Sequence, residues 1–178
     1  FSTYLFAVVA GPYTTVASVH DGIPMRLYAR RSMAAILERE AAELFEITAQ
    51  GFDLYQKLFG QRYPFDKYDQ LFVPEFNAGA MENVAAVTFH DMFLFRDPPT
   101  EAQRLERGEV VLHELAHMWF GNLVTMRWWD DLWLNESFAN MMEYQAVDAM
   151  FPQWEVWNQF IASEGLAAFR RDATYGVQ

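Results

Sequence analysis

The sequence has no cysteine. Disulfide frameworks, thiol nucleophiles and cysteine-ligated zinc are therefore excluded, and histidine and carboxylate side chains are left as the strong metal ligands. The same absence is compatible with a reducing compartment, and a cytoplasmic location is the expectation. Positive charge is also scarce. Thirteen Lys+Arg stand against 24 Asp+Glu, a formal net charge of −11, which argues against a nucleic-acid partner because a phosphate backbone calls for a basic face. An acidic surface suits cationic ligands, free amino groups among them, although most acidic proteins are simply soluble. No apolar run reaches the length needed to span a bilayer, and the first residues do not read as a basic, apolar signal peptide, so no membrane segment is expected in this chain.

What is present is apolar and aromatic. Hydrophobic residues make up 52% of the 178 positions and aromatics 17%, the composition of a chain with one sizeable core. Thr3 to Ala10 is a short apolar run broken by Gly11-Pro12, and Thr14 to His20 is rich in β-branched residues. Both read as strands, and Asp21-Gly22 turns the chain into a third over Met25–Ala29. Ser32 is placed to cap a long amphipathic helix carrying Met33, Ile36, Leu37, Leu44 and Ile47 on one face. Gly51 weakens its middle and Gly60 is a natural stop. Leu71-Phe72-Val73 and Ala85–Phe89 read as strands around the Gly79 loop. Thr100 and Gln103 form a capping box for a helix running to about Phe120 and closed by Gly121. Another helix starts near Asn135 and passes Tyr144. Pro152 separates it from a last helical stretch over Trp154 to about Phe169.

The chemistry is concentrated in His113-Glu114-Leu115-Ala116-His117. At about 100° per residue, positions i and i+4 lie about 40° apart and one turn along a helix, so both imidazoles reach one ion. Glu114 lies on the same side, near the metal without being obliged to bind it. One rigid element thus presets two ligands and a base. Such a string arises by chance in about one chain of this length in several hundred, and it uses two of only four histidines. A catalytic zinc takes three protein ligands and keeps one position open. The best third ligand is Glu136, on the next helix within Trp133-Leu134-Asn135-Glu136-Ser137. Glu143, seven residues on, shares its face and either holds a ligating histidine from behind or is a surface carboxylate. Asp130, Asp131 and Trp128, Trp129 and Trp133 read as loop structure and packing in preference to the lining of a subsite, and His20 and His90 have no ligand spacing.

His113-Glu114-x-x-His117, eighteen intervening residues and then Glu136 resemble the zinc signature of the M1 aminopeptidases, which are gluzincins. His117-Met118-Trp119-Phe120-Gly121-Asn122-Leu123-Val124-Thr125-Met126 and Trp128 to Glu136 continue the likeness. Gly79-Ala80-Met81-Glu82-Asn83 is similar to the family's exopeptidase motif without substitution. The resemblance runs from about Asp21 to at least Tyr144 and is nearest in flavour to bacterial aminopeptidase N. One departure is Ala85-Ala86, where relatives commonly carry a glycine just after the motif.

The resemblance implies an α+β fold like the upper lobe of a thermolysin-like catalytic domain: a small mixed sheet, with an edge strand over 84–89 beside the cleft, packed on two zinc-bearing helices. Residues 1–20 are then the trailing strands of an N-terminal β-domain, and residues 21–178 part of the catalytic domain. It implies one Zn²⁺ per chain on His113, His117 and Glu136, with Glu114 as general base. It also implies recognition of a substrate's free N-terminus by Glu82, with Gly79 and Ala80 lining the first subsites. The family's oxyanion-stabilising tyrosine is expected roughly twenty residues beyond Gln178. The expected activity is hydrolysis of the N-terminal peptide bond. The alternatives are a zinc-binding fragment without turnover and, less favoured, an epoxide-hydrolase-like relative with a lipid pocket.

Overall fold

A computed structural model describes residues 2–175. Asp21 and Gly22, with φ of 47° and 78°, fold strand Tyr13–His20 (β1) back onto Ile23–Arg30 (β2). The two pair antiparallel along all eight residues, from Tyr13 opposite Arg30 to His20 opposite Ile23. In β2, Ile23, Met25, Leu27 and Ala29 are buried while their neighbours are not. This two-residue period gives the sheet one core face. β1, which the sequence places at the end of a separate domain, is thus an outer strand of the same sheet as β2. The run before it departs from expectation. Thr3–Leu5 is a 3₁₀ turn capped by the Ser2 hydroxyl, and residues 6–12 join no strand. Instead of a sheet neighbour, this segment has single backbone bonds such as Val84 N–H to Leu5 C=O at 3.1 Å.

Ser32 does not cap the long helix. β2 pairs as far as Arg30, so the chain turns over the sheet through a 3₁₀ turn at Arg31–Met33 before helix Ala34–Phe59 (α1) begins. The helix ends at Gly60 in the left-handed conformation, φ 62°, as the glycine stop requires. From α1 the chain enters Tyr68–Val73 (β3), parallel to β2. Ala86–His90 (β5) lies parallel to β3 on its other side. A two-residue strand, Ala80–Met81 (β4), pairs antiparallel with β5, giving the order β1-β2-β3-β5-β4. The segment expected as an edge strand is therefore interior. Val87 and Phe89 are fully buried, and the Gly79–Asn83 loop docks beside them through His90 N–H to Gly79 C=O at 2.7 Å. The margin of the sheet is thus the loop that carries Glu82.

Both halves of the capping box at Thr100 and Gln103 form, and helix Glu101–Ala116 (α2) follows. It stops four residues short of Phe120. Beyond Ala116 the chain winds into turns, with Asn122 N–H bonded to His117 C=O (3.0 Å) and Val124 N–H to Trp119 C=O (2.8 Å). Helix Glu136–Met150 (α3) packs along α2. The last helical stretch is broken. Glu155 in a left-handed conformation separates the 3₁₀ turn Pro152–Trp154 from Val156–Phe160 (α4), and a π-helical turn at Ile161–Gly165 precedes Leu166–Tyr175 (α5).

Three contacts fix α1 against the other helices. The Tyr55 hydroxyl, fully buried, lies 3.0 Å from the Leu112 carbonyl of α2 and 3.2 Å from the Met142 carbonyl of α3. Arg107 of α2 is fully buried, 2.7 Å from Glu40 and 2.9 Å from Glu43 of α1, with its guanidinium 4.2 Å above the Phe95 ring. At Gly51 the side chains of α2 press directly against the backbone of α1. A Cβ there would sit 2.7 Å from Leu115 Cδ2 and 2.8 Å from Leu112 Cδ2.

Two stability changes test this packing. Gly51→Ala gains about 1 kcal/mol of helix propensity, but overpacking a closed core costs about 1–3 kcal/mol. The expected net effect is a loss of about 1 kcal/mol in urea unfolding, and an increase would contradict the close approach. Ala85 has φ 55°, where an L-residue with a Cβ is strained by about 1–2 kcal/mol. Ala85→Gly is expected to stabilise by about 0.5–1 kcal/mol, since glycine's larger unfolded-state entropy removes part of the gain.

Candidate metal centre

The last turn of α2 carries His113 and Glu114, His117 caps its C-terminus, and α3, whose first residue is Glu136, packs alongside. The two His Nε2 atoms are 3.0 Å apart, and Glu136 Oε2 lies 3.6 Å from the first and 3.7 Å from the second. Ligand atoms about 2.0–2.1 Å from a tetrahedral ion stand about 3.3 Å from one another. The observed triangle has that size. Among the described residues, His113, His117 and Glu136 are the group of histidines and carboxylates close enough to hold one ion.

The other ring nitrogens are occupied. His113 Nδ1 is 2.5 Å from Glu143 Oε2, and His117 Nδ1 is 3.0 Å from the Phe120 carbonyl. Both partners are acceptors, so each Nδ1 carries the hydrogen and each Nε2 turns its lone pair inward. Two such nitrogens approach this closely across a shared cation. Burial depresses the His113 imidazole, but the neighbouring carboxylates of Glu136 and Glu143 outweigh this and push it up to about 10. Burial and the neighbouring His113 charge hold His117 below its ordinary value.

Glu114 is buried, and its Oε2 has no hydrogen-bond partner in the protein. Loss of solvent pushes its carboxyl up to about 8; the His113 charge opposes this, while Glu82, Glu136 and Glu143 add to it. Glu82 reaches the same cleft from the sheet margin. It is buried, and its Oε1 accepts from Asn135 Nδ2 at 3.1 Å. Its backbone carbonyl accepts from Asn122 Nδ2 at 3.0 Å. The cleft, of ≈ 440 Å³, is lined by Gly79, Ala80, Glu82, His113, Glu114, His117 and Glu136, with Tyr4 at its mouth. All seven residues singled out in the sequence thus meet in one cavity.

The sequence left some participants undecided or unseen. Glu143 resolves in favour of the residue behind a histidine. Asn135 adjoins Glu136 in sequence, but nothing in that adjacency shows its amide reaching Glu82. Tyr4 carried no signal at all. Its ring stands edge-on to Trp129, with centroids 5.7 Å apart. The reading of Trp128, Trp129 and Trp133 as packing is corrected: they are 66%, 51% and 57% exposed, the first just before and the other two on a 3₁₀ segment, Trp129–Leu134, with no buried residue. The tryptophan that fills the core is Trp119. His20 instead pairs with Asp53 at 2.7 Å, and His90 accepts from Met92 N–H.

Comparison with known proteins shows the family of the chain. The model of the peptidase family M1 domain matches residues 43–178. The chain is 50% identical over 178 residues to an aminopeptidase N of Streptomyces lividans, covering 96% of this chain and 20% of that protein. It is 42% identical over 180 residues to aminopeptidase N of Lactobacillus helveticus, covering 99% of this chain and 21% of that protein. Aminopeptidase M1 of Arabidopsis thaliana is 42% identical over 170 residues, covering 93% and 19%. The chain spans about a fifth of the length of these curated relatives. With the family domain matched over most of its length, the chain belongs to peptidase family M1.

Proposed function

We propose that this chain supplies the zinc site and catalytic base of an aminopeptidase that removes the first residue from peptides with a free N-terminus. The observation that carries the reading is the triangle of His113 Nε2, His117 Nε2 and Glu136 Oε2, with sides of 3.0, 3.6 and 3.7 Å. Its donor set of two imidazoles and one carboxylate, without a thiolate, suits a catalytic rather than a structural zinc. When bound, zinc supplies Lewis acidity and lowers the pKa of water toward about 7.

The protein's own groups do the remainder. Glu143 and the Phe120 carbonyl fix the tautomers and planes of the two imidazoles. Glu114, beside the ligands with one oxygen unengaged, takes a proton from the attacking water and delivers one to the leaving amine. Glu82 accepts the substrate's ammonium through a charge-assisted hydrogen bond. That anchor admits only the first peptide bond to the metal site, with the Gly79 and Ala80 backbone as the wall beside the substrate. The names of similar proteins support the same reading, since those quoted above are called aminopeptidases.

The test uses the full-length protein and an alanyl anilide substrate. One zinc per chain is expected by elemental analysis, and chelation should abolish turnover until zinc is restored. Glu114→Gln should retain the metal and lose about 10²–10⁴-fold in kcat, and a near-normal rate would remove Glu114 from its role. Glu82→Gln should raise KM about tenfold or more, the loss of one hydrogen bond between charged groups. If the 178-residue chain alone binds one zinc without releasing anilide, its role is metal binding without turnover.

A further inference from the structure

Asn135 stands behind the cleft rather than in it, and its amide touches both functional halves of the site. Its Nδ2 lies 3.1 Å from Glu82 Oε1 and 3.2 Å from Glu136 Oε1. The residue is 4% exposed. Both acceptors are carboxylate oxygens, so the amide has one permitted orientation: turned over, its oxygen would face two negative charges. The opposite wall is Gly121. With φ 118°, it leaves Asn135 Oδ1 in space that a Cβ would enter at 2.0 Å, and Asn135 Cγ would be 3.0 Å away. The glycine that closes the turn after α2 is therefore also the room the amide occupies.

We infer that Asn135 is a positioning residue that couples the amine-anchoring carboxylate, Glu82, to the third metal ligand, Glu136. This rests on the aminopeptidase reading given above. One NH₂ group donates one hydrogen to each carboxylate, so the distance between the amine anchor and the metal triangle is set by a single rigid amide. That distance decides which peptide bond is presented. A neutral donor is required because both carboxylates must remain available, one to a metal cation and one to a substrate ammonium. A fixed cation between them would compete for both.

The experiment compares Asn135→Ala and Asn135→Leu with the wild type in the full-length protein. Leucine matches asparagine in size, lacks the donors and removes the unpartnered buried Oδ1, which guards against loss of the fold. Two readouts are taken. The first is the ratio of kcat/KM for alanyl anilide to that for its des-amino analogue, propionyl anilide, which reports the amine anchor. The second is the rate of zinc loss to a chelator, which needs no turnover. Both variants are expected to lower the ratio about tenfold, mainly through KM, and to speed zinc loss about tenfold or more. Variants that change thermal stability alone, with the ratio and zinc loss as in the wild type, would overturn the coupling, as would a change in one readout without the other. A wild-type protein that neither binds zinc nor hydrolyses the anilide would instead overturn the aminopeptidase reading.

Discussion

Four carboxylates, Glu82, Glu114, Glu136 and Glu143, and two imidazoles face one another across a cleft about 440 Å³ in volume. Withdrawing an ionised carboxylate from water costs several kcal/mol unless a cation or hydrogen-bond donors compensate. Such a cluster either spreads apart, takes up protons or gathers around a cation. A pull toward the protonated form acts on Glu114 and His113, whose pKa values are both displaced upward. The alternative of spreading apart is denied by the scaffold. The distances at the centre are therefore imposed from outside it, and they define the size of the ion they accept.

The scaffold imposes them through α1. The Tyr55 hydroxyl touches the Leu112 carbonyl one residue before His113, and the Met142 carbonyl one residue before Glu143. A single buried side chain is thus tied beside both members of the His113–Glu143 pair. Gly51 lets α1 approach α2 closely, and the Arg107 pairs with Glu40 and Glu43 hold α2 in register at its other end. Removing one partner of such a buried pair costs about 3–5 kcal/mol, so sliding α2 by a turn is prohibitive. The triangle of candidate ligands inherits this rigidity because one corner lies on α2, one is its C-terminal cap and the third begins α3.

Features set by local periodicity were legible in the sequence. His113, Glu114 and His117 share a side because of the helical repeat, and the capping box at Thr100 and Gln103 fixed where that helix starts. The seven-residue step from Glu136 to Glu143 placed both on one face of α3, though it did not decide whether Glu143 was buried. Features set by contacts between distant segments were not legible. The 84–89 segment read as an edge strand because β4 is too short to announce itself and exists only by pairing with β5. Ser32 had the chemistry of a cap, but the length of β2 placed a tight turn there. The exposed tryptophans at 128, 129 and 133 have core-forming composition and no core beneath them in this chain. Asn135 is the sharpest case, because its significance lies in Glu82, 53 positions away.

The neutral character of the positioning groups links the site back to the composition of the chain. Among the described residues lining the cleft there is no lysine or arginine. Glu82 is held there by the neutral amides of Asn135 and Asn122, while the imidazoles are oriented by two acceptors, the Phe120 carbonyl and the Glu143 carboxylate. A basic side chain would neutralise the cluster permanently, and the attraction that draws in a divalent cation and then an ammonium would be lost. Arg107 shows the contrast. It is buried among carboxylates where nothing needs to bind, and it locks α1 to α2. The chain thus separates two uses of charge: compensated ion pairs where it needs rigidity, and uncompensated negative charge held by neutral donors where it needs a ligand. The same overall surplus of acid that argues against a nucleic-acid partner would, on the proposed reading, serve at this one place to recruit cations.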